Sequence, residues 1–337
     1  MSVPTTVRPA TELAEEGSGR RERLTATIQQ LGGVGMLVIV VVVASAVSHD
    51  KFGFATKGNF ETIVSGSAFT GLLALGMTFV IISGGIDLSV GSVFALGGVL
   101  AARGAQHGTW TAVLYPLVFC AFFGLVQGVV IARFRMPPFI VTLAGLSIAR
   151  GLEQVVTKDG NTTYQIKPGS VFLSFGGGTW RAIAIFVVAF ALGALLLQST
   201  RFGQALFAIG GNENAALLMG VPIARTKVLV YVLSATLAGA GGALNASRSL
   251  AGPVTVGTGF ELTAIAATVI GGTLLAGGAG SVSGTAAGVL LLAVISNLIG
   301  RYLSDYGSAA SDAVNGGFLA LVIVLQAYLT RVQRIQQ

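Results

Sequence analysis

Three ionisable residues lie inside apolar stretches of this sequence, where a charged side chain is costly and is usually retained for a purpose. Asp87 belongs to the segment Ser83–Ser89, which interrupts one apolar run and begins the next. Its carboxylate can accept backbone N–H groups as a cap at the start of the new helix. Together with Ser89, it can equally hydrogen-bond a polar solute beside a broken helix. The residue types leave both interpretations open.

Arg150 and Glu153 are the other two ionisable residues, and they lie in a later apolar run. Their i,i+3 spacing places both side chains on one face of a helix, where they can pair. Because a bare charge is costly at that depth, we expect either a structural ion pair or a pair that lines a wet cavity. Asp87, Ser89, Arg150 and Glu153 are therefore the candidate residues for a solute path.

The polar segment 212–222 carries the signals of one short helix. Asn212 can cap its start, and Glu213 suits the positive end of the helix dipole. Gly220 fits the left-handed position that ends a helix, and Pro222 prevents continuation. A helix this short is not stable alone in water. Something else must therefore hold it.

The same short helix presents three apolar side chains in a loop that is otherwise polar: Leu217, Leu218 and Met219. They must be covered, and the cover can be the chain's own membrane domain or a groove on a partner protein.

Several kinds of chemistry have no residues to support them. No G-x-x-x-x-G-K-[ST] loop occurs, so the chain is not expected to cradle a nucleotide. Cys120 is the single cysteine, and the two histidines, His49 and His107, lie in short polar stretches. We therefore expect no metal site, no catalytic residues and no cofactor in this chain. Its basic residues are scattered, which argues against nucleic-acid binding.

Composition indicates that lipid surrounds these residues. Of 337 residues, 53% are hydrophobic and 10% are charged, and the mean hydropathy is +0.82. A soluble domain carries roughly 25% charged residues. The 48 glycines lie largely within apolar runs, where they allow helices to approach closely. The sequence thus predicts an all-α polytopic membrane protein.

Ten apolar runs are long enough to count as candidate transmembrane helices, several of them short or broken by glycine. They cover 31–47, 62–82, 88–102, 110–132, 138–156, 182–198, 228–247, 262–276, 283–300 and 313–329.

Two series of glycines four residues apart indicate tight helix packing, either within the chain or at a dimer seam. They are Gly124 and Gly128, and Gly280, Gly284 and Gly288. In addition, Val80–Gly91 and Val269–Gly278 resemble each other, since each runs from an apolar helix through a glycine pair. A duplicated ancestor and two convergent tight turns explain this equally well.

The distribution of basic residues predicts that both termini are cytoplasmic. Residues 1–30 are expected to form a disordered cytoplasmic tail, and 31–330 a membrane domain. The polar loop 157–181 then faces the periplasm and the loop 199–227 the cytoplasm. Ala44-Ser45-Ala46 can pass for a signal-peptidase site, but we expect an uncleaved first helix because everything downstream is also membrane-embedded.

Four stretches of the sequence resemble the permease subunits of ribose-type sugar ABC importers, including the galactofuranose branch. They are Met77–Ser92, Thr142–Gly151, Arg201–Gly220 and Gly257–Gly278. The resemblance implies the ABC importer permease fold in a bacterial inner membrane. It also implies a second permease copy or a paralogous permease, two ABC ATPase domains that hold ATP and Mg, and a periplasmic sugar-binding protein. The implied cargo is a neutral monosaccharide, a pentose or hexose, with a furanose such as ribose or galactofuranose included.

By the same resemblance, the loop 201–227 couples the permease to its ATPase. The matching residues are Gly210, Gly211, Asn212, Glu213, Asn214, Ala215, Ala216 and Gly220. Many ABC permeases have Glu-Ala-Ala, three residues and then Gly at this point, whereas this chain has Asn214 in place of the Glu.

Glu261 follows the flexible Gly257-Thr258-Gly259 at the expected outer start of a helix. It can contact the binding protein by charge complementarity, or it can simply be an acid favoured by the helix dipole.

The rival interpretation is a secondary sugar transporter driven by protons or sodium. Such a transporter needs a relay of ionisable groups near the middle of the membrane. The spans offer only Arg150, Glu153 and Asp87. The sequence therefore favours the ATP-driven importer.

Overall fold

The computed structural model describes residues 34–46 and 54–303, together with individual positions between 313 and 324. Within the described ranges the chain is helical, joined by turns and loops, with one isolated bridge between Gln165 and Ala251. The predicted tail 1–30 and most of the predicted run 313–329 lie outside the described residues, as do both termini.

The described helices, numbered along the chain, are α1 Val34–Ala46, α2 Lys57–Ile82, α3 Val90–Gly104, α4 Thr109–Phe134, α5 Pro138–Thr157, α6 Leu173–Gly177, α7 Thr179–Ser199, α8 Arg201–Gly211, α9 Glu213–Leu218, α10 Ile223–Ser249, α11 Phe260–Ile270 and α12 Val282–Tyr302.

Six of these helices, α2, α4, α5, α7, α10 and α12, are long and apolar enough to cross a membrane. Three shorter apolar helices, α1, α3 and α11, occupy the positions of three further predicted runs. The all-helical membrane class is confirmed, while the predicted number of ten spans is not confirmed. The helices α3 and α11 have 15 and 11 residues, which is too few to cross a ~30 Å hydrocarbon core unaided, and α1 borders residues outside the described range.

The helix α2 is the centre of the bundle. In its most apolar stretch 89% of the residues are buried inside the protein, against 28% for α5 and for α7. The two peripheral helices therefore present most of their apolar side chains to lipid, whereas α2 is surrounded by other helices.

Glycine allows α10 to pack directly on its neighbours. A Cβ atom on Gly128 of α4 would lie 2.9 Å from the Val228 backbone, and one on Gly124 would collide with the Tyr231 carbonyl. On the other side, Gly97 of α3 lies against the backbone of Gly239. These small-residue contacts lie within the chain.

The helix α11 is much shorter than its predicted run 262–276, because the chain leaves the helix after Ile270. Gly271 and Gly272 follow, and Gly272 has φ +90°, a left-handed conformation that glycine adopts readily. At its other end, α11 begins well inside the bundle, since the Phe260 ring lies 5.2 Å from the ring of Phe94 in α3. The connection 250–259 thus runs back into the bundle after α10 ends.

The contact between α11 and α12 gives a test of this packing. A side chain on Gly288 would collide with the Ala267 carbonyl oxygen, whereas a Cβ on Gly300 in the same helix has no neighbour within 4 Å. We expect Gly288→Leu to lower the free energy of unfolding by about 1–3 kcal/mol, the usual cost of overpacking. Thermal unfolding in detergent, followed by size-exclusion chromatography, measures the effect. Gly300→Leu is the matched control, and equal melting temperatures for the two variants would contradict the packing.

Candidate functional site

The predicted loop 199–227 is built from two helices, α8 and α9, with Asn212 between them. The Asn212 Oδ1 accepts a hydrogen bond from the Ala215 N–H at 3.0 Å and so caps α9. Gly220 has φ +78° just after the end of that helix. The residues that stop and start α9 are therefore the ones that the local sequence rules select.

The helix α9 leaves three apolar side chains exposed, which we call the α9 surface: Leu217, Leu218 and Met219. Their exposed fractions are 57%, 89% and 83%. Ala216 faces the other way and is buried. The Lys227 Nζ lies 2.7 Å from the Glu213 Oε2, which ties the start of α9 to the start of α10. The described part of the chain thus holds α9 in place without covering its apolar surface.

Three glycine pairs from distant parts of the chain meet at the end of α8, which contributes one of them. We call this contact the glycine junction. It comprises Gly84 with Gly85, Gly210 with Gly211, and Gly277 with Gly278. A Cβ on Gly277 would lie 2.9 Å from the Gly84 Cα and 3.1 Å from the Gly210 carbonyl oxygen. The backbones touch without any side chain between them.

The end of α8 contacts two helix breaks at this junction. The first break, residues 83–89, lies between α2 and α3, and the second, residues 271–281, lies between α11 and α12. The Gly278 N–H donates to the carbonyl oxygen of Ile82 at 2.9 Å, which joins the two breaks. A Cβ on Gly210 would collide with that same oxygen and would lie 2.5 Å from the Gly278 nitrogen. By contrast, a Cβ on Gly211 has no neighbour within 4 Å. The two stretches that resemble each other in sequence are therefore in contact, and α8 contacts both.

Asp87 holds the first of these breaks together. Its Oδ1 accepts hydrogen bonds from the Ser89 N–H at 2.9 Å and the Ser89 hydroxyl at 2.6 Å, and its Oδ2 accepts one from the Ser234 hydroxyl at 2.9 Å. The carboxylate spans the turn before α3 instead of capping N–H groups inside its first turn. Asp87 and Ser89 are both fully buried. In this conformation they fix the break to α10.

Arg150 and Glu153 are paired, with the Nη1 and Oε2 atoms 3.0 Å apart. The guanidinium also reaches the connection 250–259, where Nη1 donates to the Val256 carbonyl at 3.1 Å and Nη2 to the Thr258 hydroxyl at 3.1 Å. This second role could not be read from the i,i+3 spacing, because the loop is more than 100 residues away. Arg150 thus secures a loop that re-enters the bundle.

Glu261 lies in the first turn of α11, as the dipole interpretation requires. Its carboxylate is beside Gly91 in the first turn of α3, and the side chain is only partly exposed. The structure thus places Glu261 against α3, at the start of the 11-residue helix α11. Its contact with a binding protein stays a prediction.

A cavity of about 890 Å³ lies between α2, α11, α12 and the connection 250–259. Its polar lining comes from separate segments, which is why the sequence did not reveal it: Thr62, Ser67, Thr70, Arg248, Thr255, Thr258, Thr263, Ser296 and Asn297. The one available signal was Thr62, Gly66 and Thr70, which recur four residues apart on one face of α2. Gly316 of the partly described run 313–329 also borders the cavity, and none of the described lining residues is acidic.

Three buried threonines, Thr78, Thr268 and Thr285, join α2, α11 and α12 on the side of the cavity nearer α9. We call them the threonine seal. The Thr78 and Thr285 hydroxyls are 2.7 Å apart, and the Thr268 hydroxyl donates to the Ala74 carbonyl at 3.2 Å. All three threonines are 0% exposed. Along α2, the cavity, the threonine seal and the glycine junction therefore follow one another in that order.

Known proteins resemble this chain along most of its length. The family described as "Branched-chain amino acid transport system / permease component" matches residues 59–326. The ribose import permease protein RbsC of Bacillus subtilis (strain 168) is 36% identical over 312 residues, which cover 91% of this chain and 95% of that protein.

Two relatives from Escherichia coli (strain K12) are similar over comparable lengths. The inner membrane ABC transporter permease protein YjfF is 39% identical, with 82% of this chain and 86% of that protein covered. The L-arabinose transport system permease protein AraH is 35% identical, with 89% and 92% covered. No solved structure matches. This chain therefore belongs to that permease family and, within it, to the ribose-type permeases of sugar ABC importers.

Proposed function

We propose that this chain is the membrane subunit of an ATP-driven importer that carries a neutral monosaccharide, a pentose or hexose in pyranose or furanose form, across a bacterial inner membrane. The observation that carries the ATP-driven part is the α9 surface. Three neighbouring apolar side chains stand exposed on a helix that is capped at its start and tied by an ion pair. Rigidly presented apolar residues of this kind are typical of a helix that docks into a groove.

The partner that fits the α9 surface is an ABC ATPase domain. That domain binds the ATP and Mg for which this chain has no motif. A second permease, either a copy or a paralogue, takes the second ATPase domain. The α9 end of the bundle then faces the cytoplasm, together with both termini. The opposite end faces the periplasm, where a sugar-binding protein delivers the cargo.

The glycine junction supplies a path from the ATPase to the bundle. A displacement of α9 moves the end of α8, because only Asn212 separates the two helices. Gly210 touches both helix breaks through backbone atoms, so no flexible side chain absorbs the movement. The first break directly follows α2, and the second lies between α11 and α12. These three helices form the threonine seal. Movement of α9 in this way loosens or closes the seal.

The ion-coupled alternative finds little support in the buried acids. Asp87 is fully buried and accepts three hydrogen bonds, and Glu153 is paired with Arg150. An exchangeable ion needs an acid that solvent can reach from each side in turn. Neither carboxylate offers that in this structure.

The α9 surface gives the first test of this function. Leu218→Asp places a charge in the proposed docking groove and should reduce co-purification of the ATPase from native membranes at least tenfold, since truncating a central interface residue costs about 2 kcal/mol or more. Quantitative mass spectrometry of a mild-detergent pull-down measures this. Val171→Asp is the control, because Val171 is 66% exposed in a loop remote from α9.

Uptake of labelled sugar by the same cells completes the test. Wild-type uptake should stop on ATP depletion and persist when the proton gradient is collapsed, and Leu218→Asp should abolish it. Normal ATPase capture by Leu218→Asp would refute the assigned docking surface. Uptake that follows the ion gradient instead of ATP would establish the secondary transporter.

The glycine junction gives a second test. Gly210→Ala should leave ATPase capture unchanged and should preserve ATP hydrolysis while uptake falls at least tenfold, because the added methyl collides with the Ile82 carbonyl where α8 meets the breaks. Gly211→Ala adds the same methyl next door into open space and should behave like wild type. Parallel loss of hydrolysis and uptake in Gly210→Ala, or equal behaviour of the two variants, would contradict transmission through the junction.

A further inference from the structure

We propose that the cavity between α2, α11 and α12 is the site that holds the monosaccharide on the periplasmic side of the threonine seal, with Thr258 as a hydrogen-bond donor to the sugar. This inference rests on the proposed function, since it assigns the cargo of that importer to a place in the fold. It differs from the solute path expected from the sequence, because Asp87 and Ser89 do not line the cavity.

The dimensions of the cavity suit a small solute. Its volume of about 890 Å³ falls within the roughly 300–1,000 Å³ that is usual for small-molecule sites. Thr62 to Thr70 of α2 and Val289 to Asn297 of α12 line it, and eight residues of helix rise ~12 Å. The threonine seal closes the bundle between the cavity and α9. A sugar in this cavity therefore waits behind a closed gate.

The polar groups of the lining suit a neutral polyhydroxylated molecule. The Ser67 hydroxyl donates to the Ile63 carbonyl at 2.6 Å, and the Thr70 hydroxyl donates to the Ser67 carbonyl at 3.3 Å. Both hydroxyl oxygens therefore keep lone pairs that can accept hydrogen bonds from a sugar. The apolar lining residues Phe260, Leu262 and Leu292 offer surfaces for the C–H faces of a sugar ring.

Thr258 provides the complementary donor. Its hydroxyl oxygen accepts a hydrogen bond from Arg150 at 3.1 Å, so its own proton remains to be donated. Arg150 also holds the Val256 carbonyl at 3.1 Å. Arg150 is thus a positioning residue, which acts on the sugar through the loop it secures. Glu153 balances the charge of Arg150 with an ion pair of 3.0 Å.

The charges around the cavity disfavour cationic cargo. A cation finds no carboxylate among the lining residues that the structure describes. An anion finds one cation, Arg248, whose guanidinium already lies 5.5 Å above the Phe69 ring and 3.5 Å from the Ser65 hydroxyl. A neutral sugar needs no such partner. The described lining therefore excludes a cation and accommodates a neutral sugar without a counter-charge, and Arg248 is the group that would bind a sugar phosphate.

Cysteine labelling tests the location of the sugar. Cys120 is the single cysteine and is fully buried, so an introduced cysteine is labelled against a low background. In intact cells, Thr263→Cys in the cavity wall should react with a membrane-impermeant maleimide at least fivefold more slowly when D-ribose, L-arabinose or D-fructose is present. Val171→Cys, outside the cavity, should react at an unchanged rate. Ribose 5-phosphate is the anionic comparison and should protect no better than D-ribose, because the proposed cargo is neutral.

The role of Thr258 has its own pair of variants. Thr258→Val should raise the apparent KM for uptake about tenfold with little change in the maximal rate, and Thr258→Ser, which keeps the hydroxyl, should stay near wild type. Both should capture the ATPase normally, which shows that they are folded and assembled. Equal KM values for Val and Ser would refute the assignment of Thr258 as a donor.

Failure of this inference can be told apart from failure of the proposed function. Loss of protection by all three sugars, with wild-type uptake still dependent on ATP, would overturn the cavity assignment and leave the importer standing. Stronger protection by ribose 5-phosphate would overturn the preference for a neutral sugar. Wild-type uptake that continues without ATP would overturn the importer, whatever the labelling shows.

Discussion

Backbone amides at a helix break must find partners inside the protein, because lipid offers none. This constraint shapes the centre of the molecule. The break after α2 is closed by its own turn, in which the Gly85 N–H donates to the Val80 carbonyl at 3.0 Å, and by the hydrogen bonds of Asp87. The break after α11 is closed in part across the bundle, through the Gly278 N–H and the Ile82 carbonyl. Each break helps to satisfy the other, so neither can shift alone.

The consequence is a bundle with layers along α2. The cavity lies near the Lys57 end, the threonine seal lies one to two turns beyond it, and the glycine junction lies at the Ile82 end. Backbone contacts link the end of α8 to both helix breaks, and the seal adjoins the cavity. In the proposed function this order places the ATPase, the gate and the cargo in series along a single helix.

Local rules in the sequence predicted a large part of this arrangement. The start and end of α9 follow from Asn212 and Gly220, and the Arg150–Glu153 pair follows from its spacing. Within the described residues the hydrophobic runs located nine apolar helices, of which α3 and α11 are too short to cross a membrane unaided. Each of these features depends on residues within a few positions of one another.

What the sequence did not predict depends on contacts between distant segments. The glycine junction joins residues near 84, 210 and 277, and the cavity takes its hydroxyl groups from α2, the connection 250–259, α11 and α12. The early end of α11 has the same origin, because Gly284 lies against the Gly271 backbone. A pattern of apolar residues records which positions avoid water, and it does not record which of them meet.

The glycine junction also separates two kinds of evolutionary change. It is made of backbone atoms, and any side chain larger than hydrogen would disturb it at Gly210 or Gly277. The cavity is made of side chains such as Thr258 and Thr263, which single substitutions can replace without touching the junction. In the proposed function, a descendant of this protein can therefore acquire a different cargo while it inherits the same contact between the ATPase-docking helix and the bundle.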